Sequence, residues 1–216
     1  LLVNKLPKQL VIIGDSSVYG WGDNEGGGWC ERLRKEWMNN QNGVIIYTLG
    51  VRGDGIEKVA LRWEKEWLAR GETRRNKPKG ILLNVGLNDT ARIGQKNGRH
   101  LLEIEGFEYG LERLINSIKT KTDVFVLGLS PVDESKMPFA DCLWYSNEFC
   151  DSYEKRMEEV CINQNVPFLP TFKEMSADRR SKNWISDDGI HLNADGHLWI
   201  YQRIKSWDRL REWRES

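Results

Sequence analysis

The sequence predicts an α/β protein, a three-layer α/β/α domain around a five-stranded parallel sheet. Three observations carry this. Five short apolar runs, most of them rich in β-branched residues, recur along the chain. Stretches with helical spacing of apolar residues lie between them, and most runs end at a glycine or a polar turn. Continuous apolar runs of this length suit strands buried on both faces. Strands that alternate with helices pair in parallel through right-handed crossovers.

The first strand is Val11-Ile12-Ile13, closing at Gly14, and the second is Val44-Ile45-Ile46-Tyr47, ahead of Gly50. Ile56, Ala60, Trp63 and Trp67 then repeat at steps of four, three and four, the mark of a helix with one apolar face. The third strand is Ile81-Leu82-Leu83, followed by a helical stripe of Ile104, Phe107, Leu111, Leu114 and Ile118. Val124-Phe125-Val126-Leu127 is the fourth strand, and Phe149, Tyr153, Met157 and Val160 make the next stripe. Val166-Pro167-Phe168-Leu169 is a weaker fifth strand whose proline suits a sheet edge or a strand start. The closing segment puts Ile200, Ile204, Trp207 and Leu210 on one stripe, with Asn193 placed to cap its start. No repeat or Pro/Gly/Ser linker divides the chain, so residues 1–216 are expected to form a single domain.

Composition excludes several function classes. The 216 residues are 39% hydrophobic and 30% charged, as in a globular protein. Lys plus Arg total 32 and Asp plus Glu total 32, a balance that argues against a nucleic-acid partner, which would need a basic excess. No apolar run is long enough for an integral membrane helix. Ten tryptophans spread along the chain suit core and groove positions. The four cysteines (Cys30, Cys142, Cys150, Cys161) form no CxxC pair. A Cys142–Cys150 bridge is one option; reduced thiols in a cytoplasmic protein are the expectation. Leu1 to Ile13 lacks the basic start and long apolar stretch of a signal peptide.

In a parallel sheet of this kind the ligand crevice lies beyond the carboxyl ends of the strands. Four polar turns fall there: Gly14-Asp15-Ser16-Ser17 with Gly20 and Gly22, Gly50 to Gly55, Gly86-Leu87-Asn88-Asp89, and Asp187 to Asn193. Together they hold the parts of acyl transfer. A serine hydroxyl needs a base, and histidine is the side chain suited to that near neutral pH. A carboxylate on the other ring nitrogen holds the imidazole in one tautomer, and Asp188 lies three residues before His191. The N–H of Ser16, the N–H of Gly53 and the amide of Asn88 are candidate donors to the oxyanion. Glycine at 53 would let a backbone N–H approach a substrate with no Cβ in the way.

These four blocks, in this order from Gly14 to His191, resemble those of the SGNH, or GDSL-type, esterases and lipases. Gly14-Asp15-Ser16 matches their first block, Gly53 the glycine of the second, Gly86-Leu87-Asn88-Asp89 the GxND of the third and Asp188-Gly189-Ile190-His191 the DxxH of the last. The resemblance implies a flavodoxin-like SGNH hydrolase fold and cleavage of small carboxylic esters through an acyl-serine, without cofactor or metal. It implies Ser16 as nucleophile, His191 as base and Asp188 as its orienter, with Ser16, Gly53 and Asn88 as the oxyanion hole. Ser17 departs from the leucine of the GDSL pattern and changes no catalytic group. Carbohydrate O-deacetylation, thioester hydrolysis and lysophospholipid hydrolysis lie within the same resemblance. From another class, a non-catalytic flavodoxin-like binding module would share the fold.

Each singled-out residue also has a plainer reading. Ser16 could merely cap a helix. Asp15 reads as a turn residue bonding loop backbone. Asp187 competes with Asp188, and Gly50 and Gly55 read as turn glycines. His197 suits packing or surface, and His100 takes no role. Three histidines without a Cys cluster or HExxH spacing do not make a metal site. Glu25 stands where a third dinucleotide-binding glycine would be, so Gly20 to Glu25 does not make a nucleotide site. Thr90 to His100, with Arg92, Lys96 and Arg99, reads as a solvated loop or an anion contact. Ser130 to Leu143, with Met137, Pro138 and Phe139, could wall an acyl pocket. Arg74, Arg75, Lys77 and Lys79 read as a solvated turn.

Overall fold

The computed structural model describes residues 6–38, 43–72 and 76–216. Strands β1 (Gln9–Gly14), β2 (Ile45–Gly50) and β3 (Gly80–Asn84) all run parallel, with β1 between the other two. A two-residue strand, β4 (Arg92–Ile93), precedes β5 (Asp123–Leu127); β6 (Leu143–Trp144) and β7 (Phe168–Leu169) follow. The main sheet has the order β2-β1-β3-β5-β7. Its two central strands, β1 and β3, are buried along their whole length, whereas β2 at the edge is half-buried. Pro167 stands just before the short edge strand β7, where no ladder N–H is needed.

Alternation along β1 divides the core. Val11 and Ile13 join Ile56, Trp63, Phe107, Leu111 and Met157 on one side. Leu10 and Ile12 join Trp29, Leu33, Trp37, Ile200 and Leu210 on the other. Helices α3 (Ile56–Ala69), α4 (Ile104–Lys119) and α5 (Asn147–Asn163) thus cover the first face, and α2 (Trp29–Met38), α7 (Ala194–Lys205) and α8 (Asp208–Glu215) the second. The expected three layers result. The remaining helices are short: α1 (Ser16–Tyr19), directly after β1, and α6 (Phe172–Ala177), after β7.

The structure corrects three details. The closing stripe is buried as expected but lies on two helices: α7 stops at Lys205, and Trp207 turns out of helical geometry (φ −75°, ψ 107°) before α8. That break sets Trp207 and Trp213 edge-on to Phe125, each 5.8 Å from its ring. Second, the stretch from Thr90 to His100 is not a free loop but meets the end of the stretch from Ser130 to Leu143. Arg92 and Ile93 of β4 pair antiparallel with Trp144 and Leu143 of β6. Third, Gly50 ends β2 rather than making a turn, and a Cβ there would lie 2.1 Å from the backbone nitrogen of Tyr19. All four cysteines are free, the expected state, and Cys142 and Cys150 are not bridged. Arg74 and Arg75 lie outside the described residues; Lys77 sits with its Nζ 5.7 Å from the Trp67 ring. Among the described residues no helix is long and apolar enough to cross a membrane.

Asp89, in the turn after β3, ties that turn to α3. Both its carboxylate oxygens accept from the N–H of Ile56, at 3.2 and 3.1 Å, at the positive end of the helix. Gly55 is required beside it, because a Cβ would come within 2.4 Å of Asp89 Oδ1. Burial nevertheless outweighs the hydrogen bond and raises the carboxyl to about 7. A carboxyl raised in the folded state binds a proton that the unfolded chain, near 3.8, has already lost. Its contribution to stability is therefore present below pH 3.8 and lost as pH rises through about 7. In thermal melts across that window, Asp89→Asn should flatten the decline by up to about 1.4 kcal/mol per pH unit. An unchanged slope would show that Asp89 stays ionised.

Candidate active site

Ser16 begins α1 immediately after β1, so its backbone N–H is one of the unpaired donors of a helix start. Asp15 caps the turn, its Oδ1 accepting from the N–H of Ser17 at 2.9 Å. Its carboxyl is fully buried, and burial raises it to about 6 against the opposing pull of that bond and of His191. The expected turn role is thus the one observed.

His191 arrives from the turn before α7. Its Nε2 lies 2.9 Å from Ser16 Oγ, and its Nδ1 lies 2.6 Å from Asp188 Oδ2. The other oxygen of Asp188 accepts from the backbone N–H groups of Ile190 and His191, both at 3.0 Å. Partial burial works against the charge on Asp188, but the ring and these two N–H groups outweigh it and hold the carboxyl at about 2. An ionised Asp188 can only accept, so Nδ1 carries the proton and Nε2 is left as the acceptor for the serine O–H. Asp187, the competing carboxylate, is exposed. The imidazole packs edge-on between Trp21 at 6.2 Å and Phe139 at 6.0 Å, and the guanidinium of Arg52 stacks 3.5 Å over Trp21.

Gly53 and Asn88 come from the turns after β2 and β3. Gly53 has φ +77° and open space where a Cβ would stand, so its backbone conformation, rather than crowding, calls for glycine. The neighbouring carbonyl of Asp54 accepts from Asn88 Nδ2 at 3.0 Å, joining the two turns. The same nitrogen also donates to Asp15 Oδ2 at 3.4 Å, a long bond that a closer acceptor would displace.

Two contributors, Tyr145 and Arg62, carry no mark in the sequence, and His197 takes the packing place expected of it. The Tyr145 hydroxyl donates to Asn88 Oδ1 at 3.3 Å and so fixes which way the amide faces. Arg62 of α3 donates to Gly14 O at 2.8 Å, Leu49 O at 3.1 Å and Asp54 Oδ2 at 2.8 Å, binding the ends of β1 and β2 to the Gly53 turn. His197 is buried on α7, accepting from the Trp29 N–H at 3.3 Å and facing Trp21 O at 3.1 Å. Burial lowers its pKa, which favours a neutral, structural imidazole. No local pattern marks Tyr145 or Arg62, since each acts on residues distant in sequence.

The other candidates take plainer places. Asp23 gathers the N–H groups of Glu25, Gly26 and Gly28, organising the glycine-rich stretch from Gly20 to Gly28. Arg92 bonds His100 and stacks 4.3 Å from the Phe149 ring, so it is committed away from the site. Among the described residues no group of three His, Cys, Asp or Glu is placed to hold a metal.

A family model, the GDSL-like Lipase/Acylhydrolase family, matches residues 12–199. This chain belongs to that family. Members hydrolyse esters, and the α/β fold with its parallel sheet is that of the SGNH hydrolases. Among known relatives, "Thioesterase 1/protease 1/lysophospholipase L1" of Escherichia coli (strain K12) is 24% identical over 191 residues, covering 88% of this chain and 78% of that protein. A lipase/acylhydrolase from Enterococcus faecalis superposes with a TM-score of 0.75 at 21% identity over 96% of both chains. A catalytic mutant of Axe2, an acetylxylan esterase from Geobacillus stearothermophilus, gives 0.69 at 14% identity, over 93% of this chain and 94% of that one.

Proposed function

We propose that this ester hydrolase works through an acyl-enzyme on Ser16, with His191 as general base and acid and Asp188 as the group that holds its tautomer. The observation that carries the reading is the unbroken relay from Ser16 Oγ to His191 at 2.9 Å and from His191 to Asp188 at 2.6 Å. His191 Nε2 takes the serine proton as Oγ bonds to the ester carbonyl carbon. The resulting oxyanion is met by the N–H of Ser16, the N–H of Gly53 and the amide hydrogen of Asn88 that gives up its long contact with Asp15. The imidazolium returns its proton to the leaving alcohol as the C–O bond breaks. A water then repeats the sequence, and the acid leaves with Ser16 restored.

In the same reading residues 1–216 act as one domain. It also places the enzyme in the cytoplasm, with the free state of Cys30, Cys142, Cys150 and Cys161 as its support.

Titration with a fluorophosphonate tests the assignment directly. One label per chain is expected, on the peptide bearing Ser16, with ester hydrolysis falling in proportion to labelling. Hydrolysis that survives full labelling of Ser16, or a label on another serine that tracks the loss, would overturn it.

A further inference from the structure

The turn that supplies Gly53 also carries positive charge that the fold does not use. Arg52 is exposed, and its guanidinium lies 3.5 Å over the Trp21 ring. Stacking of this kind fixes the plane of the fork and leaves its N–H edges open to an acceptor. The carboxylate of the same turn, Asp54, is taken by Arg62 at 2.8 Å, and among the described residues no acidic side chain pairs with Arg52. Lys58 reaches the turn as well. Its Nζ meets the Gly53 carbonyl at 3.4 Å, a long bond, and it too has no acidic partner among the described residues. It stands in the first turn of α3, where a helix start disfavours positive charge. Glu57, its exposed neighbour, pairs with neither cation.

His191 sets which part of a substrate passes these cations. Its Nε2 must return the proton to the leaving oxygen, so the departing alcohol lies against the imidazole. That ring is flanked by Trp21 at 6.2 Å and Phe139 at 6.0 Å, and of these two walls it is Trp21 that carries Arg52. We infer that Arg52, assisted by Lys58, selects esters whose leaving alcohol bears an anionic oxygen group, a carboxylate or a phosphate. The inference rests on the catalytic reading of Ser16 and His191 given above. A guanidinium already held on an aromatic face offers two parallel N–H donors to such a group with little further loss of side-chain freedom.

Three aryl acetates that share one acyl group test this: 4-acetoxybenzoate, 4-acetoxyphenyl phosphate and the neutral 4-acetoxybenzamide. The amide has the better leaving group of the three, so a preference for the anions reflects binding. At least one anionic ester should exceed the amide in kcat/KM by about tenfold, and which one does distinguishes carboxylate from phosphate. Arg52→Gln should narrow that ratio by about tenfold, Arg52→Lys should narrow it less because charge survives without the fork, and Lys58→Gln should also narrow it less. The ratio should fall as salt is added. An amide hydrolysed as fast as both anions would overturn the inference. So would a ratio that Arg52→Gln leaves unchanged while all three rates fall together, since that is the mark of an arginine that only steadies Trp21. In either case a fluorophosphonate that still labels Ser16 and stops hydrolysis leaves the catalytic assignment standing; hydrolysis that survives full labelling of Ser16 would remove both.

Discussion

Ser16→Ala should lower the hydrolysis of p-nitrophenyl acetate by about a thousandfold or more while leaving the fold intact. The side chain lost is a single hydroxyl whose recorded partner is His191 Nε2. Alanine keeps the backbone N–H that starts α1, and Asp15 continues to cap the turn through Ser17. No packing is removed and no buried donor is stranded, so the thermal melting curve should move little. The donors around the oxyanion would remain, and such a hole alone sustains a residual rate over water of about 10³ to 10⁴ in serine hydrolases. The measurement is kcat/KM with circular dichroism on the same sample. A folded variant that retains more than a tenth of the native rate would remove Ser16 from the mechanism.

Asp188→Asn should be nearly as damaging, by about a thousandfold to ten-thousandfold near neutral pH. Asparagine can keep one oxygen on the N–H groups of Ile190 and His191, so the turn is preserved. What changes is the atom 2.6 Å from His191 Nδ1, now able to be an amide N–H. That donor would demand a bare Nδ1 and place the ring proton on Nε2, where it blocks acceptance from Ser16. Because the carboxylate is held at about 2, the native contact is intact throughout the physiological range, and only strong acid would mimic the variant. Activity within tenfold of native at neutral pH would show that the carboxylate does not set the tautomer. The comparison with Asp187→Asn, at an exposed carboxylate one residue away, separates position from charge.

Much of this was readable in the chain. Val11, Ile13, Ile81 and Leu83 announce buried strands because their apolar runs leave no polar face, and Ser16, Gly53 and Asn88 fall in the turns that follow such strands. The helical stripes were readable for the same reason, since Ile200, Ile204 and Leu210 share one buried cluster even though the helix breaks between them. The β4–β6 ribbon was not, because two-residue strands carry no period to detect. It matters to the site. Phe139 is pinned beside β6 by its N–H to Leu143 O at 2.7 Å, and its ring backs His191. Tyr145 was hidden for a related reason: its function is a contact across 57 positions with Asn88, which no local pattern encodes.

Arg62 gives the reaction centre a shared foundation. Its one guanidinium group fastens the strand that delivers the nucleophile, the strand beside it and the carboxylate next to the glycine donor. Attacking atom and charge-receiving turn therefore shift as one body when the molecule breathes, and their mutual alignment is insulated from distortion elsewhere in the scaffold.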